Sequence, residues 1–307
     1  MPFPPLRTTR RSAARMVIGA CSLALLTACA GMGGRTVSSR DGATDGEGLS
    51  ASDGVLWPTP ADARRADWPD AASTQLIVVL TPNWNAPNGR LARFERGPGG
   101  AWRAVGGSFD VSVGRSGSGW GLGIHPPQAT GPRKQEGDGR APAGVFAIGP
   151  AFGYAASATT RLPYLPMQRE HWCIDVPGSP LYNRIVDAKA VGAKVIEGST
   201  EPMRRDLHKN GDGRYAQGFV IAHNVEGANR GGSCIFAHVW EGRGVPTAGC
   251  TAMSEADMAT LLAWIDPART PRFVLLPVSE YARLQASWDL PAPSAAVSGA
   301  AASGRGG

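Results

Sequence analysis

His238 and Cys250 stand on either side of a short glycine-rich loop, and their residue types suit nucleophilic catalysis. A thiol attacks a carbonyl carbon only as a thiolate, and a nearby imidazole can take its proton. Gly249 permits a tight turn, so the backbone N–H groups of Gly249 and Cys250 could form an oxyanion hole. Each residue alone has a plainer interpretation as a buried core residue. Together they predict nucleophilic catalysis, with Cys250 as the nucleophile and His238 as its base.

The surrounding pattern predicts a mainly β (α+β) fold that presents these two residues at the ends of strands. Short apolar runs alternate with clusters of Gly, Pro, Asn and Asp. The predicted strands are 75–81, 109–113, 145–148, 182–186, 219–222, 234–239 and 273–276. One clear helix is predicted after Cys250, with Ser254 and Asp257 as a capping pair and Pro267 beyond its end.

The N-terminus has the features of an export signal. Residues 1–28 hold four arginines, no acidic residue and an apolar run shorter than the ~20 residues that span a bilayer. Leu26-Thr27-Ala28-Cys29 resembles a lipobox, which predicts lipidation of Cys29 and attachment to a membrane. A plain secretory signal is the alternative. Since Ala30 is not aspartate, the periplasmic face of the outer membrane is predicted for a cell with two membranes.

Composition divides the rest of the chain into a tether, one domain and a tail. Residues 29–72 are rich in Gly, Ser and Asp and predict a flexible tether. Residues 73–285 can bury one core, and residues 286–307 predict a disordered tail. Of the net charge of +6, the export signal supplies +4. The remaining charge of about +2 is too small for a nucleic-acid footprint.

Three cysteines remain after the export signal and the lipid site are set aside, which is an odd number for an oxidising compartment. A disulfide between Cys173 and Cys234 would leave Cys250 free, and two separate buried thiols are the alternative. A zinc site including Cys234 and His238 is disfavoured, because four residues of strand separate them by about 13 Å. No metal or other cofactor is predicted.

Two segments of the chain resemble the L,D-transpeptidase (YkuD-type) family. A histidine on a strand, a loop and then Ser/Thr-x-Gly-Cys match His238 and residues 247–250. Upstream, a Pro-x-Gly-x-Phe segment matches Pro142, Gly144 and Phe146. Two positions depart from the family pattern, since Ala248 replaces a frequent histidine and Ala252 replaces a common arginine.

The resemblance implies a YkuD-like mixed-sheet fold and an L,D-transpeptidase that forms 3–3 cross-links between peptidoglycan peptide stems. It also implies that the Val239 carbonyl orients His238, with Gly249 in the oxyanion region. Residues with a candidate substrate-binding role are Thr247, Ala248, Trp240 and His223. For His223, a place in the core is the other interpretation.

Three other functions remain open at this stage. An L,D-carboxypeptidase or peptidoglycan hydrolase would use the same site with water as the acceptor. A non-catalytic peptidoglycan-binding lipoprotein would have no need of a free thiol beside a base. A papain-like hydrolase is disfavoured because those families place the cysteine before the histidine.

Overall fold

The computed structural model describes residues 54–58, 67–97 and 100–292. Its central strand is the run Gln-Leu-Ile-Val-Val-Leu-Thr at residues 75–81, in which every residue is buried. A continuous apolar run of this kind is typical of a strand covered on both faces. It pairs in parallel with residues 272–277, which are also buried throughout. These two strands form the centre of the main hydrophobic core.

The prediction of a mainly β fold is confirmed. The strands within the described residues are β1 (Val55–Trp57), β2 (Gln75–Thr81), β3 (Asn88–Arg96), β4 (Trp102–Ser112), β5 (Ser118–Trp120), β6 (Ala141–Gly153), β7 (Tyr164–Pro166), β8 (His171–Cys173), β9 (Ile185–Asp187), β10 (Glu201–Pro202), β11 (Gln217–Ile221), β12 (Phe236–Val239), β13 (Thr251–Met253) and β14 (Arg272–Pro277).

The larger of the two sheets closes on itself. In the described part of the chain its strands follow the order β11-β12-β13-β4-β3-β2-β14-β6, with β5 and β7 also paired to β6. Strand β6 pairs with β14 through residues 144–147 and with β11 through residues 148–153. The first and last strands of this order are therefore joined through β6, which closes the sheet. Strands β12 and β13 are adjacent, parallel members of this closed sheet.

A smaller antiparallel sheet has the order β1-β9-β8-β10. Its strands are only two or three residues long. Residue Glu201 of β10 lies directly opposite Cys173 of β8. Because opposite residues of an antiparallel pair project to the same face, the side chains of Glu201 and Cys173 lie on the same face of this sheet.

The helices are α1 (Ala188–Val191), α2 (Arg205–His208), α3 (Glu255–Trp264) and α4 (Val278–Leu284) within the described residues. The predicted helix is α3. The side chain of Ser254 accepts the N–H of Asp257 at its start, and Ile265 follows its last residue. Helix α3 contacts β11 and β12, whereas α4 contacts β14 and β2. Helix α4 was not predicted. No helix of the described residues is long and apolar enough to cross a bilayer.

The folded part is longer at both ends than the sequence predicted. Strand β1 lies within the predicted tether and pairs with β9. Its Trp57 and the nearby Trp68 are both buried. In the predicted tail, Trp288 and Leu290 are also buried. Large apolar side chains thus extend the core into segments that are otherwise rich in small and polar residues. The export signal and Cys29 lie outside the described residues.

Two predicted strands begin later than expected. Residues 180–183 form a turn before β9, with Asn183 at a φ of 61°. Cys234 has a φ of 56°, so β12 starts only at Phe236. Positive φ values are incompatible with an extended strand, and this is why both runs are shorter than their apolar character suggested.

Candidate active site

His238 lies on β12, and Cys250 lies next to the start of the neighbouring parallel strand β13. His238 is in register with Ala252, and Cys250 immediately precedes β13. Both side chains line one cavity of about 400 Å³. They are 4% and 8% exposed, so each is nearly enclosed by protein. The structure therefore brings together the two residues that the sequence selected.

The backbone of the next residue orients the His238 imidazole. Its Nδ1 is 2.7 Å from the carbonyl oxygen of Val239. A carbonyl oxygen only accepts, so Nδ1 carries the proton and Nε2 keeps its lone pair. Burial lowers the pKa of His238 to about 4, which leaves the ring neutral at neutral pH. The ring of Tyr215 packs edge-on against it at 5.2 Å. The imidazole thus has the tautomer and the charge of a general base.

The Cys250 thiol lies between a backbone donor and a backbone acceptor. The N–H of Phe236 donates to Sγ at 3.4 Å, and the thiol donates to the carbonyl oxygen of Cys234 at 3.5 Å. Burial raises the pKa of Cys250 to about 12, and the charge of Glu201 adds to the effect. In the resting cavity Cys250 is therefore a protonated thiol and His238 a neutral imidazole. For a reaction at Sγ, a base must therefore take the thiol proton before or during the attack.

The Thr247 side chain stabilises the loop that ends at Cys250 through two hydrogen bonds. Its Oγ1 donates to the carbonyl oxygen of Cys250 at 2.7 Å and accepts the N–H of Gly249 at 3.1 Å. A Cβ at position 249 would lie 3.0 Å from the carbonyl oxygen of Arg140, so a larger residue would push the loop away. The Gly249 N–H is thus already engaged by Thr247. Ala248 lines the cavity, as does Thr247.

The Pro-x-Gly-x-Phe segment supports the fold behind the site. A Cβ at Gly144 would lie 2.0 Å from the ring of His125, so only glycine lets this ring pack on β6. The N–H of Val145 donates to Nδ1 of His125 at 3.1 Å. The ring of Phe146 then fits edge-to-face between His125 and His223. This segment therefore aligns β6 by packing.

Two residues predicted to bind substrate do not line the cavity that holds Cys250. His223 is buried. Its Nδ1 accepts a hydrogen bond from the N–H of Leu122 at 3.1 Å, and its Nε2 donates to the carbonyl oxygen of Gly231 at 3.0 Å. With both nitrogens engaged, its place is in the core. Burial lowers the pKa of His223 to about 3. Trp240 lines a neighbouring, more open depression of about 610 Å³ instead.

Lys134 and Glu136 also line the cavity. The Lys134 ammonium donates to Asp138 at 2.6 Å, so a carboxylate already balances its charge. The hydroxyl of Ser233 donates to Glu136 at 2.6 Å, and the hydroxyl of Tyr182 donates to the same oxygen. The ion pair with Asp138 holds the Lys134 side chain in place, whereas the Glu136 carboxylate lines the cavity.

Residues 201–215 form a second side of the cavity that sequence reasoning missed, called here the charged wall. The Tyr215 hydroxyl donates to Glu201 Oε1 at 2.5 Å, and Arg205 donates to the same oxygen at 3.0 Å. Arg205 and Arg214 both donate to Asp212, at 2.8 Å and 2.6 Å. Burial raises the pKa of Glu201 and that of Tyr215. The only sequence signal was the four-residue spacing of Glu201 and Arg205, which is common on protein surfaces.

A disulfide joins Cys173 of β8 to Cys234, just before β12. It ties the smaller sheet to the strand that carries His238. Among the cysteines of the described residues, Cys250 is the one left as a thiol. Within the same residues, no group of three or more His, Cys, Asp and Glu side chains could hold a metal ion.

Comparison with known proteins gives one match. The family model of the L,D-transpeptidase catalytic domain (YkuD) matches residues 84–275, which is well over half of the chain. The matched segment contains β12, β13 and the residues of the cavity described above. No curated protein and no solved structure matches the chain.

Proposed function

Since the chain belongs to the YkuD family of L,D-transpeptidase catalytic domains, we propose that it is a cysteine acyltransferase that forms 3–3 cross-links between peptidoglycan stem peptides. The family supports an L,D-transpeptidase-type enzyme that acts on peptidoglycan. The proposal goes further by assigning Cys250 as the nucleophile, His238 as the base and a 3–3 cross-link as the product.

One observation supports the proposal above all others. A buried thiol and a neutral imidazole line one cavity, and the Val239 carbonyl keeps the imidazole proton on Nδ1. Nε2 of His238 is then the nitrogen that can accept the proton of Cys250.

The reaction follows from this arrangement. Cys250 Sγ attacks the carbonyl carbon of the third residue of the acyl-donor stem, while His238 Nε2 takes the thiol proton. His238 then gives that proton to the nitrogen of the departing D-alanine, and a thioester remains on Cys250. The amine of a second stem attacks the thioester and releases the thiol, which restores the enzyme.

The tetrahedral intermediate needs hydrogen-bond donors for its negatively charged oxygen. The Gly249 N–H is engaged by Thr247, so the Cys250 N–H is the donor proposed from this loop. Gly249 then contributes by letting the chain approach Arg140 closely enough to set the direction of the next N–H.

The proposed location is the cell envelope. Lipidation of Cys29 would hold the domain on a membrane, on the periplasmic face of the outer membrane in a cell with two membranes. Metabolic labelling with a fatty acid, with a Cys29→Ala variant beside the wild type, tests this part. Label in both proteins would refute the lipid site.

The first test is intact-protein mass spectrometry after incubation of the protein with a carbapenem. The expected result is one covalent adduct on the wild type and none on Cys250→Ala. No adduct on the wild type, while Cys250 still reacts with iodoacetamide, would contradict the proposed acyl chemistry.

The second test identifies the acyl acceptor. The protein is incubated with disaccharide-tetrapeptides, and the products are separated by chromatography and weighed. Release of D-alanine together with a 3–3 dimer is expected. Release of D-alanine with tripeptide alone would assign the same site to an L,D-carboxypeptidase.

A further inference from the structure

Cys234 has a backbone conformation that L-amino acids rarely adopt. Its φ of 56° lies in the left-handed region, which glycine enters freely and residues with a Cβ enter at a cost. Such conformations persist only where the surroundings hold them, and they cluster at functional sites. Cys234 also lines the cavity.

This conformation directs the Cys234 carbonyl at the candidate nucleophile. The carbonyl oxygen accepts the hydrogen bond of the Cys250 thiol at 3.5 Å. On its other side, the N–H of Cys234 donates to Oδ1 of Asn183 at 2.8 Å. A rotation of residue 234 to negative φ would turn the carbonyl away from Sγ.

The disulfide fixes the side chain of this strained residue to the smaller sheet. Its partner, Cys173, is fully buried in β8. Opposite Cys173 in the same sheet stands Glu201, which binds Tyr215, and Tyr215 packs on His238. One small sheet therefore contacts the surroundings of both reactive side chains, through the disulfide on the thiol side and through Glu201 on the imidazole side.

We propose that the Cys173–Cys234 disulfide positions the nucleophile, by holding residue 234 in the left-handed conformation that directs its carbonyl at Cys250. The proposal concerns the thiol of the proposed function and rests on that function only for its acyl-transfer readout. The disulfide acts through the backbone of Cys234 and does not touch the substrate carbonyl.

The consequence for the thiol has a definite sign. A hydrogen bond to the carbonyl stabilises the protonated thiol, and a thiolate has no proton to donate. Loss of this bond lowers the pKa of Cys250, so alkylation at a fixed pH becomes faster. Acyl transfer becomes slower, because Sγ is no longer held in one direction relative to His238.

The test compares two full-length variants that both lack the disulfide. In Cys173→Ala/Cys234→Ala, residue 234 keeps a Cβ and is free to relax to negative φ. In Cys173→Ala/Cys234→Gly, the left-handed conformation carries no steric cost. If the disulfide contributed only stability, Cys250 would show the same alkylation rate and the same kcat in both variants, and thermal melts report the stability of each variant separately.

Iodoacetamide alkylation of Cys250 at about pH 8 is followed by peptide mass spectrometry. A pKa lower by about half a unit makes the alanine variant react about threefold faster than the wild type, whereas the glycine variant reacts at the wild-type rate. Equal rates in the two variants would overturn the proposal.

Acyl transfer to a stem peptide provides the second readout. The kcat of the alanine variant is expected to fall about tenfold with KM unchanged, and the glycine variant is expected to recover to within about threefold of the wild type. Equal kcat values in the two variants would overturn the positioning role. If the wild type transfers no acyl group, the proposed function fails while the alkylation comparison still decides this inference.

A third measurement needs no substitution. Dithiothreitol reduces the disulfide to two thiols by transferring two electrons and two protons, and it becomes a cyclic disulfide itself. The reduced wild type is expected to show faster alkylation of Cys250, with the slow rate returning on reoxidation. An unchanged rate after complete reduction would contradict the proposal.

Discussion

The two sides of the cavity hold their functional groups by different means. On the strand wall, formed by residues 236–239 and 247–253, backbone atoms hold the reactive side chains. The Val239 carbonyl orients His238, and the Phe236 N–H contacts the Cys250 thiol. On the charged wall, side chains hold other side chains through ion pairs, as Arg205 does with Glu201.

This difference separates two roles. A backbone partner is present whatever the side chain, so the geometry of the strand wall depends mainly on strand register. The charged wall depends on the identity of each residue and sets the electrostatic surroundings of the thiol. We therefore expect substitutions of reactive groups on the strand wall to affect rates by orders of magnitude. Substitutions on the charged wall should change thiol reactivity by small factors.

The largest effect is expected from Cys250→Ala, because it removes the attacking atom. Acyl transfer should fall by at least about 10⁴-fold in kcat/KM, with an almost unchanged melting temperature. Steady-state kinetics and thermal melts check both statements. Cys250→Ser is the matched control, since a hydroxyl of similar size should be nearly as inactive. Substantial activity in the alanine variant would rule out Cys250 as the nucleophile.

His238→Ala is expected to lower the acylation rate by about 10²- to 10⁴-fold, because no base takes the thiol proton. His208→Ala, on the exposed side of α2, is the control and should react normally. The wild-type pH profile tests the same group. Since burial lowers the pKa of His238 to about 4, activity should fall only as the pH drops towards 4. A decline centred at the ordinary histidine pKa would contradict this environment.

Thr247→Val is expected to lower kcat/KM about tenfold. The substitution removes the hydroxyl that makes two hydrogen bonds in the loop before Cys250, one to the Cys250 carbonyl and one from the Gly249 N–H. The shape of the side chain is kept, so a loss of activity would report the hydrogen bonds themselves. Thr260→Val on the exposed face of α3 is the control. Equal activity of the two variants would show that activity does not depend on the hydrogen bonds of the Thr247 hydroxyl.

The smallest effect is expected on the charged wall. Glu201→Gln removes a negative charge that raises the pKa of Cys250, yet it can still accept from Tyr215 and Arg205. Alkylation of Cys250 at a fixed pH should therefore become about threefold faster. Glu241→Gln, at the rim of the cavity, is the control. An unchanged or slower rate would show that Glu201 carries no charge in the folded protein.

The sequence predicted the strand wall because its features are local. The apolar run of β2 has the bounds that its pattern indicated, and α3 begins at the predicted cap. The motif around His238 and Cys250 lies within one short stretch of chain. The pairing of β12 with β13 then brings the two residues to one cavity.

The charged wall could not be predicted because its contacts depend on the tertiary fold. Residues 201–215 show no apolar period, and Glu201 meets Tyr215 only after the smaller sheet has formed. Strand β3 was missed for a related reason. Its sequence, Asn-Gly-Arg-Leu-Ala-Arg-Phe-Glu-Arg, lacks β-branched residues and buries only Leu91, Ala92 and Phe94. Trp57 and Trp288 were missed because single large side chains anchor otherwise polar segments.

The disulfide also changes what a cut in the chain would do. Cys173 and Cys234 enclose a loop of the chain, and the whole charged wall lies inside it. A protease that cleaves between residues 174 and 233 would leave two fragments that remain covalently joined. The fragment that ends in the nicked loop would therefore stay attached to the fragment that carries Cys250. The domain would in this way tolerate a break between these two cysteines.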